Sequence, residues 1–214
     1  MNTASFLQRA LSARLLPTLY WLGKGGWTRA EQSSGRPSSQ PGRALDLPRE
    51  LELMRVQRPK VHAAYLAALA DSGLSLDALP AVACDCSGFV CWALGVARDS
   101  GPWDSGWIST DTLFADALGA QRLFRPVERA IPGSMLVYPK PTGRGGDGLP
   151  GHVGIVTEAD ADGRATRVLH CAPTNYLQPP PAGLPHNAIA ETGPELFDAD
   201  PRTRVVVWRA FDAP

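Results

Sequence analysis

The stretch CDCSGFVCWALG, residues 84–95, holds three of the chain's four cysteines within eight positions. Its apolar positions Phe89, Val90, Ala93 and Leu94 predict a buried helix from about Cys86 to Val96. A helix starting at Cys86 sets that sulfur among unpaired amides at the positive end of the dipole, which favours thiolate over thiol. Asp85 stands where a cap belongs. Ser87 is either a second local cap or a hydrogen bonder for a substrate. Gly88, without a side chain, lets a substrate backbone approach.

Three readings of the cysteines compete. Cys84 and Cys86 are too close to bridge each other, whereas Cys84 with Cys91, or either with Cys171, is geometrically open. Four cysteines in 214 residues do not make a disulfide-dense scaffold. A metal site drawing on His152, His170 and Cys171 has no use for the Ser-Gly pair after Cys86. A nucleophile explains more of the residues, with Cys84, Cys91 and Cys171 packing as small hydrophobes. It also needs a base, usually histidine.

GHVGIV (151–156) supplies one at the head of a predicted strand. Alternation sends His152, Gly154 and Val156 to one face and Val153 and Ile155 to the other, and Gly154 leaves room beside the imidazole. The next predicted strand, RVLHC (167–171), follows a hairpin turn at ADADG (159–163) and brings His170 near His152. There it is expected to accept the Nδ1 proton of His152 and fix its tautomer.

Around these motifs the chain reads as α+β, with helices first and antiparallel strands later. Phe6, Leu7, Ala10, Leu11 and Leu15 recur at helical spacing, with Ser5 as the expected cap and Pro17 as the stop. Further helices are expected over 61–71, burying Tyr65, Leu66 and Leu69, and over 111–118, capped by Thr110. Strands are expected at 135–139, 152–156, 167–171 and 204–208. Residues 30–48, rich in Ser, Gly, Pro and Arg, read as a flexible loop or insertion. TGRGGDG (142–148) lacks the ending and setting of a phosphate-binding loop and reads as a mobile loop beside the cleft. Trp103 and Trp107 either line a substrate groove or pack on the core.

Composition removes some functions. Lys plus Arg equals Asp plus Glu, so bulk charge gives no reason to expect a nucleic-acid partner. No apolar run is long enough to predict a membrane span. Arg9 and Arg14 interrupt the first 22 residues, and no secretory signal is read there.

DCSGFV (85–90), IPGSMLVYP (131–139), GHVGIV (151–156) and VLHCAP (168–173) together resemble, in order, the motifs of NlpC/P60 cysteine peptidases. Two departures are Ser134, where the family usually has Asp, and the distance from Tyr20 to Cys86. The resemblance implies a papain-like α+β fold, N-terminal helices packed on a central antiparallel sheet, in a single catalytic domain over 1–214. A flexible insertion is expected at about 28–60. It implies Cys86 as nucleophile, His152 as base and then acid, and His170 as its orienting partner. The oxyanion would be held by the Cys86 amide and Tyr20, with Asp85 and Ser87 as further candidates for substrate contact. The implied substrates are peptidoglycan stem peptides or muropeptides, with no metal or organic cofactor. Acyl transfer on the same residues and a non-catalytic cell-wall binding module are the rival readings.

Overall fold

The structure is a computed structural model that describes residues 1–33, 39–141 and 151–211. The loop expected at 142–148 lies outside the described residues. Helix α1 (Thr3–Ser12) leads into β1 (Leu19–Tyr20), α2 (Arg29–Ser33), β2 (Arg43–Ala44), α3 (Leu47–Gln57), α4 (Pro59–Asp71) and β3 (Val82–Cys84). Then come α5 (Cys86–Leu94), α6 (Thr110–Leu118), β4 (Phe124–Pro126), β5 (Met135–Tyr138), β6 (His152–Ala159) and β7 (Ala165–Cys171). The chain closes with α7 (Pro173–Leu177), β8 (Ile189–Thr192), α8 (Glu195–Asp198) and β9 (Arg204–Trp208). The architecture is α+β.

The larger sheet has the order β4-β9-β5-β6-β7-β8, with every neighbouring pair antiparallel. Its two faces pack differently. Met135, Val137, Val153, Ile155, Leu169 and Val206 join Phe89, Val90 and Ala93 of α5 and Phe6 and Ala10 of α1 in the main core. Leu136, Val156 and Val168 of the other face pack on Phe197 of α8. All nine residues of α5 are buried, so its apolar run needs no polar face. Gly95 ends it in the left-handed region, φ +69°, which glycine enters without steric cost.

A smaller sheet, β1-β3-β2, delivers the cysteine stretch. Strand β1 runs parallel to β3 with Tyr20 opposite Cys84. That pairing holds Tyr20 beside the start of α5 although it lies 66 positions before Cys86. The connection between them contains α2, β2, α3 and α4. The segment expected as a flexible insertion at 28–60 therefore carries regular structure among its described residues. Asp46 caps α3 by accepting from the Arg49 amide at 3.2 Å, and Pro48 occupies the first turn.

Two caps and two faces differ from expectation. Asn2, not Ser5, caps α1, accepting from the Ser5 amide at 2.9 Å. The buried stripe is Phe6, Ala10 and Ala13, while Leu15 is 61% exposed, because the chain tightens into a 3₁₀ turn at Ala13–Leu15. Ser109, not Thr110, caps α6 through a reciprocal box with Thr112. In α4, which starts two residues early at Pro59, only Leu69 is fully buried, with Tyr65 and Leu66 half-buried.

Candidate active site

Helix α5 begins at Cys86 as its spacing predicts, and Asp85 is its cap. One carboxylate oxygen of Asp85 accepts from the Gly88 amide at 2.7 Å and the Ser87 hydroxyl at 3.1 Å. The other accepts from the Gly23 amide at 2.8 Å and from Arg98 at 2.6 Å. Arg98 also donates to Ser87 Oγ at 2.9 Å and to the carbonyls of Lys24 and Gly25. Asp85 and Ser87, both buried, have their polar atoms committed inside the protein. The structure thus gives Asp85 the cap its position predicts and ties Ser87 to it, a scaffolding place for both. Gly88 is likewise a packing residue. A Cβ there would stand 2.6 Å from the Lys24 carbonyl and 2.7 Å from Arg98, so the close approach it permits is that of the 24–25 loop.

The Cys86 sulfur lies against the head of β6. The backbone amides of Val153 and Ser87 donate toward it and lower its pKa, as does the charge of Arg98. Burial and the neighbouring Asp85 carboxylate push the other way and prevail, so the thiol titrates well above the ordinary range. The thiolate expected from the helix terminus is therefore not the resting form. Partial charges at a helix end do not compensate for the lost solvation of a full anion.

The imidazoles meet as the hairpin predicts. Gly154 pairs with His170 across β6 and β7, and His152 Nε2 lies 2.8 Å from His170 Nδ1. The contact thus uses Nε2 of His152, where Nδ1 was expected. The rings stand at 89° with centroids 5.0 Å apart. Room for them comes from Gly154, whose added Cβ would lie 2.8 Å from the Phe197 ring and 3.0 Å from His170 Cβ. His170 Nε2 continues to Thr192 Oγ1 at 3.0 Å, and that hydroxyl donates to the Gly193 carbonyl at 2.8 Å. Burial lowers the pKa of His152 to about 3, helped by His170, and that of His170 to about 4. Both rings rest neutral.

Two tyrosines join the sulfur and the rings at one end of the sheet. Tyr138 pairs with His152 in register, its ring 6.2 Å from the imidazole. Burial and the nearby Cys86 raise its pKa. Tyr20 is raised further, by burial first and then by Cys86 and Asp85. Both hydroxyls therefore stay protonated and able to donate. Among the described residues, no hydrogen bond joins Cys86 to His152, and the Cys86 amide and Nδ1 of His152 have no partner. Those two groups are the ones an acyl-transfer reaction would call on.

Tyr138 and Arg98 were not singled out from sequence. Tyr138 had a usable signal, its place in a strand bound to pair with the strand of His152. Arg98 had none, since its partner lies 13 positions back across the helix. Trp107 stacks under Arg98, 4.7 Å from guanidinium carbon to ring centroid, and Trp103 donates to the Trp107 carbonyl. These tryptophans therefore support the Asp85–Arg98 pair. The four cysteines are free and buried. Cys171 donates to the Cys84 carbonyl at 3.4 Å.

A cleft of about 400 Å³ opens beside Tyr20, lined among others by Trp21, Leu22, Leu53, Val61 and Tyr65. Among the described residues, no helix is long and apolar enough to cross a membrane. Compared with known proteins, the chain matches no family model and no curated protein.

Proposed function

We propose that the protein is a cysteine peptidase or amidase of the NlpC/P60 type, with a papain-like arrangement, acting on peptidoglycan stem peptides. The observation that carries this reading is the 2.8 Å pair of neutral imidazoles beside a cysteine at a helix terminus. Chain order and motifs support the family, and the α+β architecture is compatible with it.

In this mechanism the Cys86 sulfur attacks the amide carbonyl carbon while its proton passes to Nδ1 of His152. The oxyanion accepts hydrogen bonds from the Cys86 amide and the Tyr20 hydroxyl. Collapse breaks the C–N bond, and His152 returns the proton to the leaving amine. Water then attacks the thioester, giving up a proton to His152. A carboxylate leaves, and Cys86 recovers its thiol. Proton transfer within a neutral pair avoids any buried ion before substrate arrives.

Digestion of purified peptidoglycan with mass analysis of the fragments tests this. New pairs of free amine and carboxylate are expected from the wild type and none from Cys86→Ala. Equal release by Cys86→Ala would leave the cysteine without a role, and binding to the wall with no release by the wild type would favour a non-catalytic module.

A second reading, acyl transfer, is favoured by the cleft beside Tyr20. Its wall exposes Leu22 by 58%, Leu53 by 41% and Val61 by 50%, a surface suited to an apolar acyl donor or acceptor. A new amide or ester among the products would support transfer over hydrolysis.

A further inference from the structure

We propose that Thr192 is a positioning residue that fixes the tautomer of both imidazoles and so makes Nδ1 of His152 the basic atom. Two neutral tautomer chains fit a His–His contact equally well. In one, protons point from His152 toward Thr192. In the other, they point from Thr192 toward His152 and onward, leaving Nδ1 of His152 protonated and unable to accept from Cys86.

The Gly193 carbonyl breaks this degeneracy. A carbonyl oxygen only accepts, and a threonine hydroxyl has a single proton. The Thr192 hydroxyl donates that proton to Gly193 O at 2.8 Å. Its oxygen then meets His170 Nε2, at 3.0 Å, as an acceptor. His170 must carry its proton on Nε2, which leaves a lone pair on Nδ1. The 2.8 Å contact between that lone pair and His152 Nε2 therefore requires a proton on His152 Nε2. The lone pair of His152 falls on Nδ1, the nitrogen turned away from His170. One backbone carbonyl at the end of β8 thus decides the protonation of a ring in β6, two strands away.

Thr192 is well placed to hold this contact. It pairs with Val168 in register, one strand position pair from His170 opposite Ala190. Both side chains therefore lie on the same sheet face. Valine copies threonine's shape without its hydroxyl, so Thr192→Val removes the signal with little change in packing. The tautomer assignment does not depend on turnover. Its kinetic consequence rests on the hydrolase reading above.

The test is ¹⁵N NMR of histidine-labelled protein near pH 7, which separates protonated from unprotonated ring nitrogens. The wild type is expected to show protonated Nε2 and unprotonated Nδ1 at both His152 and His170. Thr192→Val is expected to mix the two forms, and Thr192→Ser to restore the wild-type pattern. With a cleavable stem peptide, kcat should fall in Thr192→Val, by less than the roughly 10²–10⁴-fold that the acid–base group itself contributes. KM should stay unchanged, and Thr192→Ser should recover most of the loss. A wild-type His152 protonated on Nδ1, or the same tautomers in Thr192→Val, overturns the proposal. The expected tautomers without any turnover would leave it standing and count against the hydrolase reading alone.

Discussion

Cys86 is where opposing fields meet, and their balance decides how the site must work. Amides of Val153 and Ser87 and the Arg98 charge favour the anion, but burial and Asp85 outweigh them. Arg98 contributes little because Asp85, 2.6 Å away, already pairs with it. Alkylation of wild-type Cys86 by iodoacetamide should therefore be slower at pH 7 than that of a free thiol, and still climbing above about pH 9, where a free thiol levels off. Asp85→Asn removes the anion and leaves Arg98 uncompensated, so its alkylation profile should move to lower pH. The same change breaks a buried ion pair and should cost about 3–5 kcal/mol in denaturant titration. An unmoved profile in Asp85→Asn would show that Asp85 does not govern the sulfur. His152→Ala should reduce kcat by about 10²–10⁴, measured on a stem peptide, and His170→Ala by less.

At the scale of elements, the site depends on one strand-to-strand registration. Gly154→Ala puts a methyl 2.6 Å from Val168 and 2.8 Å from the Phe197 ring. Overpacking of this kind typically costs about 1–3 kcal/mol. Pairing it with Phe197→Leu should recover part of that loss, read from the thermal midpoint. This hairpin was legible because alternation and a short turn fix register locally. Helix α5 was legible from its apolar run, although the expected end at Val96 overran the stop that Gly95 sets. Strands β1, β2, β3, β4 and β8, of two to four residues each, were not. Such short pieces carry no period, and only their partners make them strands. Helix α3 fully buries none of its residues; Leu47, Leu51 and Met54 fall at helical spacing but stay half-buried, and the composition of 30–48 read as loop hid their start. The sequence yielded Cys86, His152 and His170 through motif order. It could not reveal that Asp85 and Ser87 face inward, since that depends on Arg98 arriving from beyond the helix.

For the whole molecule, burying neutral titratable groups ties stability to pH from both sides. His152 and His170 titrate at about 3 and 4 in the fold but near 6.5 when unfolded. Below pH 6.5 the unfolded chain takes up protons that the fold excludes. Stability should therefore fall as pH drops from 6.5 toward 4, by up to about 1.4 kcal/mol per unit for each ring. Cys86, Cys91 and Cys171 have raised values, so the fold retains protons that the unfolded chain loses above about pH 8.5. Stability should fall again on that side. Thermal midpoints across pH 4–10 should trace a maximum between these limbs, and His152→Phe should flatten the acid one. The central claim is that a sulfur at the tip of α5 forms a covalent acyl intermediate. Its most direct measurement is intact mass and peptide mapping after acid quench of a reaction with a stem peptide. An acyl fragment is expected on Cys86, lost in Cys86→Ala together with turnover. Undiminished turnover by Cys86→Ala, with no adduct on the wild-type residue, would contradict it.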